Sequence, residues 1–291
     1  MKIVTFSEGQ SGHDWLAWRK NGIGSSDIGV INGSNPYKTP LQLWEIKCGF
    51  REEDPINAAM QHGITHEDIA RQWINENFNL HLKPICVEDP EVDYFRASLD
   101  GFDFDHQVLV EIKCPVSESV LERARTSQAI PDYWIDQLQW GIMLTNPKRA
   151  IFALWDYRYE QCITLDMFGM TEQIQSLRVK AKAFWRHVQL GKPPEPSDKD
   201  YITVEDPQLH ELLIEYKEII RQEKQLGDRK KELKEQIIPF GKDYSFQAHG
   251  FKVKKMPGKG TYDMERMQLD GIDIDQYYKP SSSYSYRIMG G

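Results

Sequence analysis

Three side chains that could hydrolyse a phosphate ester lie within a short part of the sequence: Asp100, Glu111 and Lys113. Glu111 and Lys113 belong to VLVEIKC, residues 108–114, whose β-branched and apolar composition predicts a buried strand. Residues two apart in a strand point to the same face, about 6.6 Å apart, so this acid and this base share one face. If the preceding DGFDFD segment folds back antiparallel, Asp100 reaches that face too.

Two converging carboxylates beside an ammonium group fit a magnesium-type site, because hard cations prefer oxygen ligands at about 2.1 Å. The backbone carbonyl of Ile112, between the acid and the base, could supply a further oxygen. Lys113 would orient or deprotonate the attacking water and stabilise charge that develops on phosphorus. The pattern alone also fits an edge strand whose polar side faces solvent and carries a surface ion pair.

The surrounding sequence predicts alternating strands and helices. Residues 56–78 read as one long helix, with Ile64, Ile69, Trp73 and Ile74 near one face. Short strands follow from about residue 82 to 114, and a helix begins near Pro131. Later segments are two strands (RAIFALWDYR and QCITLDM) and a helix over roughly 170–190 that ends at Gly191.

Several stretches match a known family in the family's own order: WRKNGIGSSDIG, NPYKTPLQLW, HGITHE, ASLDG, LVEIKCP and IPDYWIDQLQWGIML. They span roughly residues 12–160. The chain resembles the PD-(D/E)xK nuclease superfamily, and within it the YqaJ and lambda-exonuclease type of phage recombination nucleases. The resemblance implies an α/β fold: a restriction-endonuclease-like core with a mixed central sheet flanked by helices. A helical and small α+β C-terminal extension would follow this core.

The resemblance implies that Asp100, Glu111 and Lys113 are the catalytic acid, acid and lysine. Glu67, in HGITHE, matches the family's N-terminal acidic residue, which helps to hold a second metal ion; a solvated helix glutamate is the alternative. Gln137, in DQLQ, matches the glutamine that supports the lysine and the water. The implied cofactor is Mg²⁺, with Mn²⁺ as a substitute and two ions per active site.

The sequence departs from the family where Leu99 replaces the usual proline before Asp100. This change relaxes the local backbone and leaves the carboxylate in place. Ser98, in the same motif, is a candidate DNA contact. Tyr133, one helical turn before the matched glutamine, is another candidate, and core packing is the alternative for its ring.

Arg19 and Ser26 have the spacing of the arginine and serine that hold the 5′-phosphate of the cut strand in lambda-type exonucleases. Gly22 and Gly24 would let the backbone approach the phosphate. A helix beginning at Ser25 or Ser26 would offer free N–H groups to an anion, and the guanidinium of Arg19 would add a bidentate fork. The alternative is an ordinary helix cap beside a surface arginine.

Arg123 and Arg125 are candidate contacts to the DNA backbone, with a solvated helix face as the alternative. The net charge of −8 disfavours a protein that coats nucleic acid through bulk charge but does not exclude local basic surfaces. The four cysteines form no CxxC pair, which disfavours zinc and iron–sulfur sites. They are expected to be reduced thiols that act as small buried hydrophobic side chains.

No apolar run approaches the roughly 18 residues of a membrane span, and MKIVTFSEGQ contains no apolar signal region. We therefore expect no membrane partner and a place in the cytoplasm, that of the host cell if the gene is carried by a phage or prophage. The proline-rich KPPEP after Gly191 suggests a nuclease core over 1–195. A long charged helix over 196–245 would follow, or a helical hairpin, because Gly227 interrupts the apolar pattern of this segment. A small extension over 246–291 would come after it.

The expected function is a magnesium-dependent exonuclease that digests one strand of linear duplex DNA from the 5′ end. Its 3′ overhangs would serve a single-strand annealing protein in phage recombination, and the resemblance suggests a homo-oligomer, most simply a trimeric ring around the DNA. One alternative is a structure- or sequence-specific endonuclease of the same superfamily. A DNA-binding module with an inactive nuclease fold is a second, disfavoured because Glu67, Asp100, Glu111 and Lys113 are all present.

Overall fold

The computed structural model describes residues 1–10, 12–242, 244–255, 266–267 and 271. Its first compact unit covers residues 1–201. The strands of this unit are β1 (Lys2–Val4), β2 (Lys83–Glu88), β3 (Arg96–Asp103), β4 (Val108–Lys113), β5 (Arg149–Asp156) and β6 (Gln161–Met167). The helices are α1 (His13–Lys20), α2 (Ser25–Asn32), α3 (Pro40–Cys48), α4 (Ala58–Phe78), α5 (Glu118–Ser127), α6 (Asp132–Thr145) and α7 (Thr171–Leu190).

The second unit covers residues 202–291. Its described elements are the helix α8 (Pro207–Ile237) and the hairpin of β7 (Phe246–Ala248) and β8 (Phe251–Val253). α8 is continuous through Gly227, so the helical hairpin that the sequence allowed at this glycine does not form. Most of the expected extension over 246–291 lies outside the described residues. The three-part division at 195 and 245 stays a prediction.

The six strands of the first unit form one mixed sheet in the order β1-β2-β3-β4-β5-β6. β4 and β5 run parallel, and every other neighbouring pair is antiparallel. β3 returns onto β4 as the sequence predicts, although it forms one strand through Gly101 and not two short ones. β4 is therefore an interior strand, and the edge-strand alternative for Glu111 and Lys113 is wrong.

Helices cover both faces of the sheet, as expected for strands whose apolar residues alternate between two cores. Leu109 of β4 packs in a core shared with α2, α3, α6 and α7. Val108, Val110 and Ile112 point to the other face, where they pack against Ala70 and Ile74 of α4. Alternation along β4 therefore puts Glu111 and Lys113 on the face of Leu109.

α4 packs on the sheet through only part of the face expected from the sequence. Ile74 is buried and Trp73 packs against the same core as expected, but Ile64 and Ile69 are exposed and Ala70 is buried in their place. Arg71 is buried beside Ala70, and its ion pairs explain how a charged residue is tolerated there. The interior face of this helix is thus partly polar, and hydrophobic periodicity alone does not reveal it.

Local sequence fixes the ends of the helices that carry candidate site residues. α2 begins after Gly24, whose N–H donates to Asp27 Oδ2 at 2.8 Å, and the same carboxylate pairs with Lys47. Asn57 caps the start of α4, and its side chain accepts a hydrogen bond from the N–H of Met60. Among the helices of the described part of the chain, none has the length and apolar composition that crossing a bilayer requires.

Candidate active site

Asp100, Glu111 and Lys113 meet where β3 leaves its pairing with β4. Gly101 is opposite Val110, so the antiparallel register carries Asp100 alongside Glu111. Asp100 Oδ2 accepts a hydrogen bond from the N–H of Ile112 at 2.8 Å. Lys113 Nζ donates to Glu111 Oε1 at 2.6 Å, and Glu111 is only 1% exposed. The structure thus brings the two acids and the lysine into one buried group.

Glu67 approaches this group from α4 and is held by Arg71 one turn later. Arg71 Nη2 donates to Glu67 Oε1 at 2.5 Å. The same guanidinium donates from Nε to the backbone carbonyl of Asp100 at 2.5 Å, and it also pairs with Asp68. Arg71 therefore ties α4 to β3 at the position of the candidate metal ligand. Glu67 is thus held by a partly buried ion pair, which disfavours the solvated-glutamate alternative.

Burial and mutual repulsion shape the electrostatics of the four groups. Burial, followed by the charge of Asp100, raises the pKa of Glu111 to about 8. The same two causes raise the pKa of Glu67 to about 7. Burial disfavours the ammonium of Lys113, but the carboxylates of Glu111 and Asp100 outweigh it and raise its pKa. The three carboxylates of the site carry more negative charge than Lys113 and Arg71 neutralise.

The donor set fits a hard divalent cation. Asp100 and Glu111 supply carboxylate oxygens, the carbonyl of Ile112 lies between Glu111 and Lys113 in the chain, and Glu67 supplies a third acid. The raised pKa values of Glu67 and Glu111 mark carboxylates that a nearby cation would stabilise in their ionised form. Among the described residues, no three His, Cys, Asp or Glu side chains are close enough to hold an ion unaided. Backbone and solvent oxygens would complete the coordination, which is the usual habit of Mg²⁺.

The thiol next to the site is unsuited to nucleophilic catalysis. Cys114 directly follows Lys113, and burial, followed by the charges of Glu67 and Asp100, raises its pKa to about 12. A thiol with such a pKa stays protonated near neutral pH, and the thiolate is the reactive form. All four cysteines are free and none is fully exposed.

Gln137 and Tyr133 project from α6, and both are half-buried. The ring of Tyr133 packs edge-on against Tyr37, with 6.1 Å between ring centroids. Burial and this neighbour raise the pKa of Tyr133 to about 12, and the charge of Lys113 opposes that shift. The ring of Tyr133 thus packs against Tyr37 and also lies near Lys113. Its position fits both core packing and a contact to DNA. The roles of Gln137 and Tyr133 stay predictions.

Arg19 and Ser26 lie side by side: Arg19 Nη2 donates to Ser26 Oγ at 3.2 Å, and both are accessible. The guanidinium of Arg19 also stacks over the ring of Trp15, 4.8 Å from its centroid. Trp15 Nε1 in turn donates to Ser98 Oγ at 2.9 Å. Since Ser98 is two residues before Asp100 on β3, this series of contacts links the candidate phosphate residues to the candidate metal ligand.

Arg123 and Arg125 are on α5 and differ in their surroundings. Arg123 Nε donates to the carbonyl of Ser119 at 3.2 Å, and its side chain is exposed beside a cavity lined also by Pro131 and Asp132. Arg125 pairs with the buried carboxylate of Asp156. Its guanidinium is therefore engaged by an ion pair within the protein surface, which weakens the expectation that it contacts DNA.

Three residues that the sequence analysis did not single out support the site. Arg71 could have been found from its spacing to Glu67, because side chains four residues apart on a helix are neighbours. Trp15 could have been found in the same way, because it lies four residues before Arg19 on α1. Buried Asp136 accepts hydrogen bonds from Asn32, Ser34 and Gln173, and joins α2, α6 and α7. Nothing in its local sequence announces this role.

The mixed six-stranded sheet, its flanking helices and the Asp100–Glu111–Lys113 group define the PD-(D/E)xK nuclease fold. An alkaline exonuclease, LHK-Exo from Laribacter hongkongensis, has the same fold with a TM-score of 0.55 and 21% sequence identity. That similarity covers 62% of this chain and 94% of the exonuclease. The structure of LHK-Exo in complex with dAMP matches equally well.

Residues 14–148 match the family model of the YqaJ-like viral recombinase domain. It is 26% identical over 158 residues to the uncharacterized protein YqaJ of Bacillus subtilis (strain 168), covering 53% of this chain and 49% of that protein. It is 24% identical over 180 residues to protein D345L of African swine fever virus (isolate Tick/Malawi/Lil 20-1/1983), covering 50% and 49% of the two. The chain thus spans about half the length of these curated relatives.

Proposed function

We propose that the protein is a metal-dependent deoxyribonuclease that degrades one strand of linear duplex DNA from its 5′ end. The observation that carries the proposal is the convergence of Asp100, Glu111 and Lys113, with Glu67 held nearby by Arg71. The match of residues 14–148 to the model of a viral recombinase domain and the fold shared with an alkaline exonuclease support DNA as the substrate. The product would be a 3′ overhang for homologous recombination by strand annealing.

The residues of the site divide the work of phosphodiester hydrolysis. Asp100, Glu111, Glu67 and the Ile112 carbonyl would hold Mg²⁺, or Mn²⁺ in its place, with two ions when the site is full. Bound there, the metal would act as a Lewis acid on the phosphate and make water a stronger nucleophile. Lys113 would orient the attacking water and offset negative charge developing on the phosphate oxygens. Gln137, on the facing helix, would support the lysine and the water.

The 5′-to-3′ direction rests on the pair formed by Arg19 and Ser26. Their contact leaves an arginine fork and a serine hydroxyl at the start of α2, where backbone N–H groups lack helical partners. A terminal 5′-phosphate is a dianion that this arrangement suits. Ser98, two residues before Asp100, and Tyr133 of α6 would contact the strand being cut.

The decisive experiment compares linear duplexes carrying 5′-phosphate or 5′-hydroxyl ends with closed circular duplex, each with and without Mg²⁺. The proposed exonuclease digests the 5′-phosphorylated linear duplex fastest, leaves the circle intact and needs the metal. Cutting of the closed circle would favour an endonuclease of the same superfamily. Tight binding of every substrate without cleavage would favour a DNA-binding module that has lost its chemistry.

Two partners follow from this activity and are proposed with it. A single-strand annealing protein would receive the 3′ overhang, in the cytoplasm where the DNA is. A trimeric ring of this chain would keep the duplex attached through many cuts without the large positive charge that this protein lacks, since its net charge is −8. Light scattering of the purified protein, with product lengths measured under an excess of unlabelled DNA, would test both the ring and its processivity.

A further inference from the structure

The helix α8 carries an apolar stripe that the described residues of the second unit leave largely exposed. The stripe is spaced alternately by three and four residues, the repeat of a two-helix coiled coil. We call it the α8 seam; its apolar members are Leu209, Leu212, Tyr216, Ile219, Leu226, Leu233 and Ile237. α8 has no buried residue, and Leu226 at the middle of the seam is 70% exposed. A helix of 31 residues is about 46 Å long, enough for more than four heptads.

Two positions of the seam are charged: Glu223 and Lys230, one heptad apart on either side of Leu226. Both are exposed, and no ion pair within the described residues involves either one. A charge in a coiled-coil interface costs stability unless an opposite charge meets it. The two charges therefore restrict which second helix can cover the seam and in which direction that helix can run.

A second copy of α8 satisfies this restriction in one orientation only. In a parallel, in-register pair Glu223 faces Glu223, and Lys230 faces Lys230, so both charged layers repel. In an antiparallel pair centred near residue 224, each Glu223 comes within about one turn, roughly 6 Å, of Lys230 in the other copy. The charge pattern of this helix is complementary to itself only when the second copy is reversed.

The same antiparallel register pairs the apolar ends of the seam. It places Leu212 opposite Ile237, and Tyr216 opposite Leu233, so the apolar ends cover each other. It also places Ile220, beside the seam and 42% exposed, against Gly227 of the other copy. Gly227 costs an isolated helix about 1 kcal/mol relative to alanine. In the antiparallel pair, Gly227 leaves space for the side chain of Ile220 from the other copy. This packing would explain why a glycine stands in the helix, which the single chain does not explain.

We propose that α8 is a self-association helix, which joins two copies of this protein through an antiparallel coiled coil formed by the α8 seam. The interface belongs to the second unit, and the proposal does not depend on the proposed nuclease activity. If the first unit also forms a closed ring, α8 pairs join rings in twos; if it does not, the protein is a dimer.

The first test measures the mass of the assembly by sedimentation and light scattering over a range of protein concentrations. The double variant Leu212→Glu/Leu226→Glu places charge in the seam and should halve the mass relative to the unchanged protein. The matched control is Ile214→Glu, a residue of the same helix that is 58% exposed but lies outside the seam, and it should leave the mass unchanged. Circular dichroism checks that α8 stays helical. An unchanged mass in the seam variant would overturn the proposal, including the case in which another protein covers α8.

The second test determines the direction of the pair. The double variant Leu212→Cys/Ile237→Cys is mildly oxidised, and its disulfides are mapped by mass spectrometry. Positions 212 and 237 of one helix are about 38 Å apart, so they cannot link within a chain. We expect links between position 212 of one copy and position 237 of the other. Links of 212 to 212 and of 237 to 237 would contradict the antiparallel pair. The unchanged protein, whose four cysteines are all in residues 1–201, is the control.

Discussion

The ammonium of Lys113 lies 2.6 Å from Oε1 of Glu111, and neither side chain reaches bulk solvent freely, with side-chain exposures of 19% and 2%. An ion pair in this setting is costly to assemble, because both charges lose water that their attraction only partly replaces. Apolar residues of the same volume would often serve stability as well. Keeping the pair in an interior strand is therefore consistent with selection for chemistry, not for folding.

Replacing Lys113 by alanine should reduce DNA cleavage at least about 100-fold, because the variant cannot orient water or offset charge on the phosphate. Glu111→Gln should do the same, since it keeps the shape of the side chain and removes a ligand charge. Duplex binding should change little, as it depends on phosphate contacts over a wider surface. Single-turnover cleavage and equilibrium binding are the measurements. Lys182→Ala, on the exposed face of α7, is the control, and near-normal cleavage by Lys113→Ala would refute the assignment.

Activity should require Mg²⁺ or Mn²⁺, and Ca²⁺ should support DNA binding with little cutting. Ca²⁺ is larger and accepts looser coordination, so it would position phosphate and water poorly in a site built from Asp100 and Glu111. Titrating each metal into chelator-treated protein, with cleavage and binding followed in parallel, makes the comparison. Full cleavage in excess chelator would be incompatible with the proposed chemistry.

Arg71→Ala should lower both stability and turnover, because this guanidinium holds Glu67 and the carbonyl of Asp100. The loss of charge-assisted hydrogen bonds at a buried position should cost about 2 kcal/mol of unfolding free energy. Since Arg71 acts through the residues that it positions, kcat should fall more than affinity for DNA. Arg71→Lys keeps the charge without the planar fork and should restore stability better than turnover. Equal effects on kcat and binding would indicate a purely structural role.

Arg19→Ala should slow digestion of 5′-phosphorylated duplex by about tenfold or more and leave 5′-hydroxyl duplex nearly unaffected. The reason is that a charge-assisted bidentate contact contributes on the order of 1.5–3 kcal/mol. Trp15→Phe is the paired variant: it keeps a ring beneath Arg19 and removes only the hydrogen bond to Ser98. Equal slowing of both duplexes by Arg19→Ala would remove the phosphate pocket from the proposal.

Asp103→Asn should destabilise the protein at neutral pH by about 1–3 kcal/mol, with little effect near pH 2. Asp103 is fully buried and accepts hydrogen bonds from the backbone N–H groups of His81 and His106. Burial alone would raise its pKa, but these bonds outweigh burial and lower the pKa from 3.8 to about 2. The stabilisation is therefore present above the unfolded-state value and is lost as pH falls through the folded one. Urea unfolding of both proteins between pH 7 and pH 2 should show the two stabilities converging.

The sequence predicted the local arrangement of the site because strand periodicity and a short return determine it. Alternation along VLVEIKC places Glu111 and Lys113 on one face, and the antiparallel return of β3 brings Asp100 beside them. It left the edge-strand alternative for β4 open, because the order of strands depends on contacts between distant segments. The parallel partner of β4 is β5, which is separated from it by two helices.

The features that the sequence analysis missed share a physical origin. The interior face of α4 is partly charged, so a search for apolar periodicity favoured Ile64 and Ile69, which the structure exposes. Asp136 is buried because three partners meet it, one from α2, one from the loop after α2 and one from α7, and those partners are distant in sequence. Buried polar residues of this kind become predictable only when the packing of their partners is known.

The close approach of α2 to α6 has a consequence for the length of each product. A Cβ at Gly29 would lie 2.8 Å from Cβ of Tyr133, and Asn32 is bound to Asp136, so the two helices are locked together. α2 begins at Ser25, next to Ser26, which is proposed to hold the 5′-phosphate. α6 lies over the strand that carries Glu111. If the DNA end rests at Ser26, the distance from that end to the scissile bond is set by a rigid helix pair. Such a fixed gauge would release fragments of one uniform size, whatever the base sequence.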